Sequence, residues 1–169
     1  MNSVRASRLA LGAALLLAAV QIGYHWRHLP PQVPSHFKIH GVPDEWMAKT
    51  PFACIQAGVL VGMAGMQALL DLLIRRSPPG LFNLPNRDYW LAPERRADTN
   101  ARISSYMAWL FAGTLLFLTA MFEFGYQVGM GRPDAMRQGM PWLLAVFVGF
   151  ALVWLIRFYQ SFSRLPDPE

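Results

Sequence analysis

The sequence predicts an all-α integral membrane protein of four transmembrane helices running up-down-up-down, and three observations carry that class. Apolar residues make up 54% of the 169 positions and charged ones 15%, a balance on the membrane side of the globular average. Four runs approach or exceed the roughly 20 apolar residues that a helix rising about 1.5 Å per residue needs to cross the hydrocarbon layer. Each run is bounded by charge or proline.

The first run covers residues 9–24 (LALGAALLLAAVQIGY) and reaches spanning length with its flanks. MNSVRASR before it is a basic leader of the kind that opens a secretory signal, but no small-residue cleavage site precedes Gln21. Tyr24 and Trp26 follow as interfacial anchors, which favours a retained span. The second run covers residues 52–74, with Thr50 as an N-cap and Pro51 at the first helical position. Gly58 and Gly62 stand in GxxxG spacing, with Gly65 and Ala68 extending a small-residue surface. Gln56 and Gln67 are available as interhelical hydrogen-bonders. This helix is the expected centre of the bundle. The third run covers residues 106–130 and the fourth residues 141–159, opening at Pro141.

Orientation follows from the lysines and arginines of the connections. Alternate sides carry ten and five, with Arg75, Arg76, Arg87, Arg95, Arg96 and Arg102 in the second connection. Both termini and that connection are therefore expected on the cytoplasmic side. The same bias accounts for the net charge of +5. The arginines cluster at membrane borders rather than on a basic face with stacking aromatics, so no nucleic-acid partner is expected. Trp26, Trp109, Trp142 and Trp154 fall near span ends, where an amphipathic ring prefers the headgroup region. Cys54, the single cysteine, excludes an intrachain disulfide and reads as a small packing residue.

No internal repeat is evident, so residues 1–169 read as one domain, with an extracytoplasmic loop over residues 25–51 and a cytoplasmic loop and helical stalk over residues 75–105. In the latter, SPPG (77–80) stops the preceding helix, and Pro93 opens a helix that continues without a breaker into the third span. LFNLPNRDYWLAP between them is too aromatic for a flexible linker. It should lie on the membrane surface or pack on the bundle ends, and it is also a candidate protein-docking segment.

In the outer loop, the prolines of HLPPQVPSHF predict polyproline or irregular chain, Gly41 a turn, and Pro43 a short helical turn through Asp44, Glu45 and Trp46. All four histidines, His25, His28, His36 and His40, fall within this loop. His25 with His28, or His36 with His40, could share a helical face as metal ligands or pH sensors. The prolines break that spacing for the second pair, so no metal or other cofactor is assigned.

No HExxH, G-x-S-x-G elbow or P-loop occurs and no span carries paired carboxylates, so no enzyme is expected. Asp71 and Glu123 are the acids inside apolar runs, where a charge is a functional candidate. Asp71 stands four residues before Arg75, as an i,i+4 pair would, and Glu123 lies beside Tyr126 and Gln127 near the outer end of its span.

The outer ribbon carries a resemblance. Leu29-Pro30, Val33-Pro34, His36-Phe37, Gly41, Pro43-Asp44 and Lys49 stand in the order of a Leu-Pro, Val-Pro, His-aromatic, Gly, Pro-Asp, Lys signature. That signature resembles the bacterial membrane domain of unknown function 1648, found at the N-terminus of SdpI-like toxin-immunity and signalling proteins. NLPNRDYWLAPERR (83–96) resembles a further segment of that group. The resemblance implies a polytopic inner-membrane protein whose outer loop has constrained chemistry. Those immunity proteins continue into further membrane helices, so toxin immunity is not carried over. Candidate ligand-recognition residues are His36, Gly41, Pro43, Asp44 and Lys49; the opposite charges and the stiff prolines suit recognition of an extracytoplasmic peptide or membrane-protein partner. Two other readings are an accessory subunit of a larger membrane complex, and a small transporter or membrane enzyme, which is short of polar groups along a route between Asp71 and Glu123.

Overall fold

A computed structural model describes residues 2–165; the expected cytoplasmic ends of the chain, Met1 and residues 166–169, lie outside the described residues. Four helices are long and apolar enough to cross a membrane: α1 (Asn2–His28), α2 (Lys49–Arg76), α4 (Arg96–Gly129) and α5 (Ala135–Ser163), with a one-turn α3 (Arg87–Trp90) between the second and third of them. Strands β1 (Gln32–Phe37) and β2 (Pro43–Ala48) join α1 to α2 as an antiparallel hairpin.

That hairpin corrects the expectation of polyproline chain, of a helical turn at Pro43, and of a strictly all-α fold. Proline fixes an extended backbone and removes a donor, and both strands of a two-stranded ribbon have a free edge where the missing N–H is tolerated. The prolines therefore dictate extension, while pairing comes from the opposing strand: Gln32 faces Ala48, Val33 faces Met47 and Pro34 faces Trp46. The ribbon turns at residues 38–42, closed by Lys38 N–H to the Val42 carbonyl at 2.9 Å, with Gly41 left-handed at φ 73°. His25 and His28, expected in the loop, belong to the last turn of α1.

Helix borders also shift. Ala48, not Thr50, precedes the first turn of α2 and offers no side-chain cap; Pro51 is the third residue, where its N–H would have no intrahelical acceptor in any case. SPPG does end α2, at Ser77. Pro93 lies in a turn ahead of α4 rather than opening it. Pro141, expected to open the last span, sits inside α5, which starts a turn and a half earlier.

The centre of the bundle is α4, which packs against α1, α2 and α5. Small residues allow the close approach: Ala14 and Ala18 of α1 meet Ala108 and Ala112 of α4, with Leu11 and Leu115 completing the cluster. The glycine stripe of α2, expected to make that helix central, is bare, since a Cβ at Gly58, Gly62 or Gly65 would meet nothing. Cys54 is likewise exposed rather than packed.

Each end of the bundle has its own plug. At one, Val33 and Pro34 are fully buried and press on Gly129, where a Cβ would lie 3.2 Å from Pro34 Cδ; Leu29, Phe52 and Tyr126 complete that cluster. At the other, the aromatic loop packs on the bundle ends, one of the two placements its composition allowed: Trp90 joins Ile74, Ile103 and Phe162. The Trp90 indole N–H donates to the Phe162 carbonyl at 2.7 Å, and the Asn86 amide donates to the Phe162 and Ser163 carbonyls. These bonds satisfy carbonyls that the end of α5 leaves without helical partners.

Candidate functional site

The hairpin brings some of its candidate residues together and separates others. His36 Nδ1 and Asp44 Oδ1 lie 2.6 Å apart across the strands. The hydrogen bond to Asp44 raises the His36 pKa above its ordinary 6.5, and the same bond lowers that of Asp44 below its ordinary 3.8. Lys49 does not pair with Asp44; its ammonium lies 5.3 Å from the Trp26 ring centroid and 3.4 Å from the Trp26 carbonyl. Pro43 pairs with Phe37 in the ribbon. Gly41 sits on the start of α5, where a Cβ would stand 2.8 Å from the Arg137 backbone nitrogen, so both space and φ require glycine.

Beneath the hairpin the intramembrane candidates form a network across three helices. Glu123 of α4 accepts from the Gln21 amide at 2.9 Å and the Gln127 amide at 3.2 Å, and lies 2.8 Å from His25 Nε2. Gln21 also donates to the Thr119 carbonyl and accepts from Gln56 of α2, whose carbonyl oxygen accepts a hydrogen bond from the Tyr126 hydroxyl. Tyr126 in turn stacks on the His25 ring, centroids 4.1 Å apart. His25 is buried, and its Nδ1 has no hydrogen-bond partner among the described residues. An imidazole donating through Nε2 to the carboxylate leaves Nδ1 as a bare acceptor.

At the opposite end Asp71 of α2 does not form the i,i+4 pair with Arg75. Its partner is Arg8 of α1, at 2.7 Å, supported by Ser104 of α4 and by the Gln67 amide at 2.8 Å. Arg8 also donates to Ser104, so one carboxylate, one guanidinium and one hydroxyl tie three helices. Ser7 and Ser105 bond 3.0 Å apart beside them. Between the two networks lies the alanine and leucine cluster of the core, an apolar layer that separates Asp71 from Glu123.

Gln21, His25, Arg8 and Ser104 were not singled out as intramembrane partners. Gln21 and His25 stand four apart on one face of an apolar helix, which is a legible signal; Arg8 reads equally well as a topogenic charge. Among the described residues no three histidine, cysteine or acidic side chains group as metal ligands, and the four histidines are dispersed: His28 bonds the Tyr24 carbonyl of its own helix.

Four spanning helices with polar networks tying three of them at both ends define a multi-pass membrane protein. Residues 13–61, from the middle of α1 through the hairpin into α2, match the family model described as Domain of unknown function (DUF1648). The chain thus carries a segment of the domain of unknown function 1648 type, and the ribbon residues that carried the resemblance, Leu29 to Lys49, lie within it, while residues 83–96 lie outside. No curated protein and no solved structure matches the chain.

Proposed function

We propose that this is a non-enzymatic inner-membrane protein, up-down-up-down with both termini cytoplasmic, that recognises an extracytoplasmic peptide or membrane-protein partner at the hairpin, in the manner suggested by SdpI-like sensing or immunity. The lysine and arginine bias supports the orientation, which puts the hairpin outside. The observation that carries the recognition reading is a cleft of about 510 Å³ between the ribbon's turn and α5, lined by Phe37, Lys38, His40, Met136, Arg137 and Met140. A second cleft of about 280 Å³ shares Phe37, Met136 and Met140 and has His36 at its rim. Methionine walls adapt to varied apolar partners, and the cations suit an acidic or carboxylate-bearing one. Ile39 at the tip is 99% exposed. In this reading His36, Asp44, Pro43 and Gly41 hold the ribbon over the cleft, and Lys49 ties its base to α1.

Photo-crosslinking in native membranes tests it. A benzoylphenylalanine at position 39 should give one discrete adduct that weakens in His36→Ala, and none should form from position 152 on the lipid-facing side of α5. Identical adduct patterns from both positions, or none from position 39, reject the reading. The bare glycine face of α2 favours an alternative, an accessory subunit of a larger complex; crosslinks concentrated at position 61 to a stoichiometric partner would establish that instead.

A further inference from the structure

The face of α4 that looks between α1 and α5 carries a groove unrelated to the hairpin. At the Trp90 end its mouth, a cleft of about 450 Å³, is lined by Ser3, Arg102, Tyr106, Trp154, Arg157 and Ser161. Trp109 and Phe150 line both this mouth and a second cleft of about 280 Å³, which continues along Gly113, Leu116, Val146 and Phe147 with almost no polar surface. Along α4 the lining steps through Arg102, Tyr106, Trp109, Gly113 and Leu116, a spacing of three and four that keeps one helix face. The polar end and the apolar end are therefore one channel, about 22 Å long at 1.5 Å per residue from Arg102 to Phe117.

We propose that this groove binds one anionic glycerophospholipid, its phosphate between Arg102 and Arg157 and an acyl chain lying along Gly113, Leu116 and Val146. The length fits: one leaflet offers about 15 Å of hydrocarbon and a further 5–7 Å of headgroup region. The charge fits as well, since the two charged side chains lining the mouth are guanidiniums and no carboxylate lines either cleft. Arg157 has no ion pair among the described residues, and Arg102 spends one donor on the Ser161 carbonyl at 3.2 Å while its guanidinium lies over Trp90. The walls are fixed without a ligand. Trp154 donates to the Tyr106 carbonyl at 2.8 Å, the Tyr106 hydroxyl donates to the Arg157 carbonyl at 3.0 Å, and the Phe150 ring fills the notch left by Gly113. Basic pockets between transmembrane helices at a membrane border are the general setting for acidic headgroups.

Native mass spectrometry of the delipidated full chain, offered phosphatidylglycerol and phosphatidylcholine together, tests the site. The wild type should retain phosphatidylglycerol about tenfold in preference, and Arg102→Gln with Arg157→Gln should abolish that preference. Val146→Trp, which fills the groove from a position 70% exposed, should displace the lipid with both arginines intact. Arg132→Gln, at the other end of the bundle, should change nothing. Equal retention of both lipids by the wild type, an unchanged preference in the double variant, or undiminished binding in Val146→Trp overturns the proposal. So does a stable dimer that excludes lipid and that Val146→Trp dissociates, because the groove would then belong to a second copy. If the double variant fails to fold, Arg157→Gln alone and Val146→Trp decide the matter.

Discussion

At one end of the α1–α2–α4 core Asp71 meets a guanidinium; at the other Glu123 meets two neutral amides and an imidazole. The Asp71 end is an ion pair between a carboxylate of α2 and a guanidinium of α1. Glu123 is held by two amides and by His25, which balances its charge only when protonated. Both arrangements tie the same three helices, yet only the second lies directly under the part of the molecule that faces outward in the proposed orientation.

That contrast is open to direct attack, most strongly at Asp71. Asp71→Ala strands Arg8, and a fully buried pair broken this way costs about 3–5 kcal/mol; with the Arg8 side chain 35% exposed, a loss of about 2 kcal/mol is expected. The thermal midpoint in detergent reads it, and replacing both Arg8 and Asp71 by leucine should restore most of the loss. At the hairpin end, Gly41→Ala should cost about 1–2 kcal/mol, because φ 73° disfavours any Cβ and the Arg137 backbone occupies its place. Faster amide exchange confined to the ribbon and the start of α5 is the expected signature. Glu123→Gln should cost under about 1 kcal/mol, since His25 can still donate to a neutral carbonyl. A cost equal to that of Asp71→Ala would erase the contrast between the two ends.

The smallest effect concerns pH. The raised His36 pKa stabilises the folded ribbon fully below 6.5 and is lost as pH rises through the elevated value; the lowered Asp44 pKa stabilises it above 3.8 and is lost as pH falls through the depressed one. Ribbon amide protection should therefore be greatest between pH 3.8 and 6.5 and decline above that window. His36→Ala should flatten the profile; an unchanged profile in that variant would remove the pair from any role in holding the ribbon.

The four spans were readable because their signal is local: twenty apolar residues in a row have one economical solution in a bilayer. The helical lead-in to the third run was readable from Arg96 onward, since residues 96–105 hold no breaker and α4 runs through them. The hairpin was not, because proline specifies extension but says nothing of a partner strand. Nor were the partners of the buried carboxylates, which lie far along the chain: Arg8 is 63 residues from Asp71, and His25 is 98 from Glu123. GxxxG spacing in α2 pointed to the wrong helix because small residues permit close approach without requiring it, and the alanines of α1 and α4 offered the same permission.

Composition and periodicity by themselves determined that the chain holds four segments apolar enough to cross a membrane, where those segments lie, and that the connection between the first two is stiff. Those properties depend on residues judged one window at a time against water or lipid. Tertiary structure alone decided which helix became central, that the connection pairs with itself and seats on Gly129, and that Arg8 rather than Arg75 neutralises Asp71. The reason is that lipid rewards apolar surface wherever it points, so the choice among helix faces falls to close packing and to hydrogen bonds between groups that only the folded bundle brings within 3 Å.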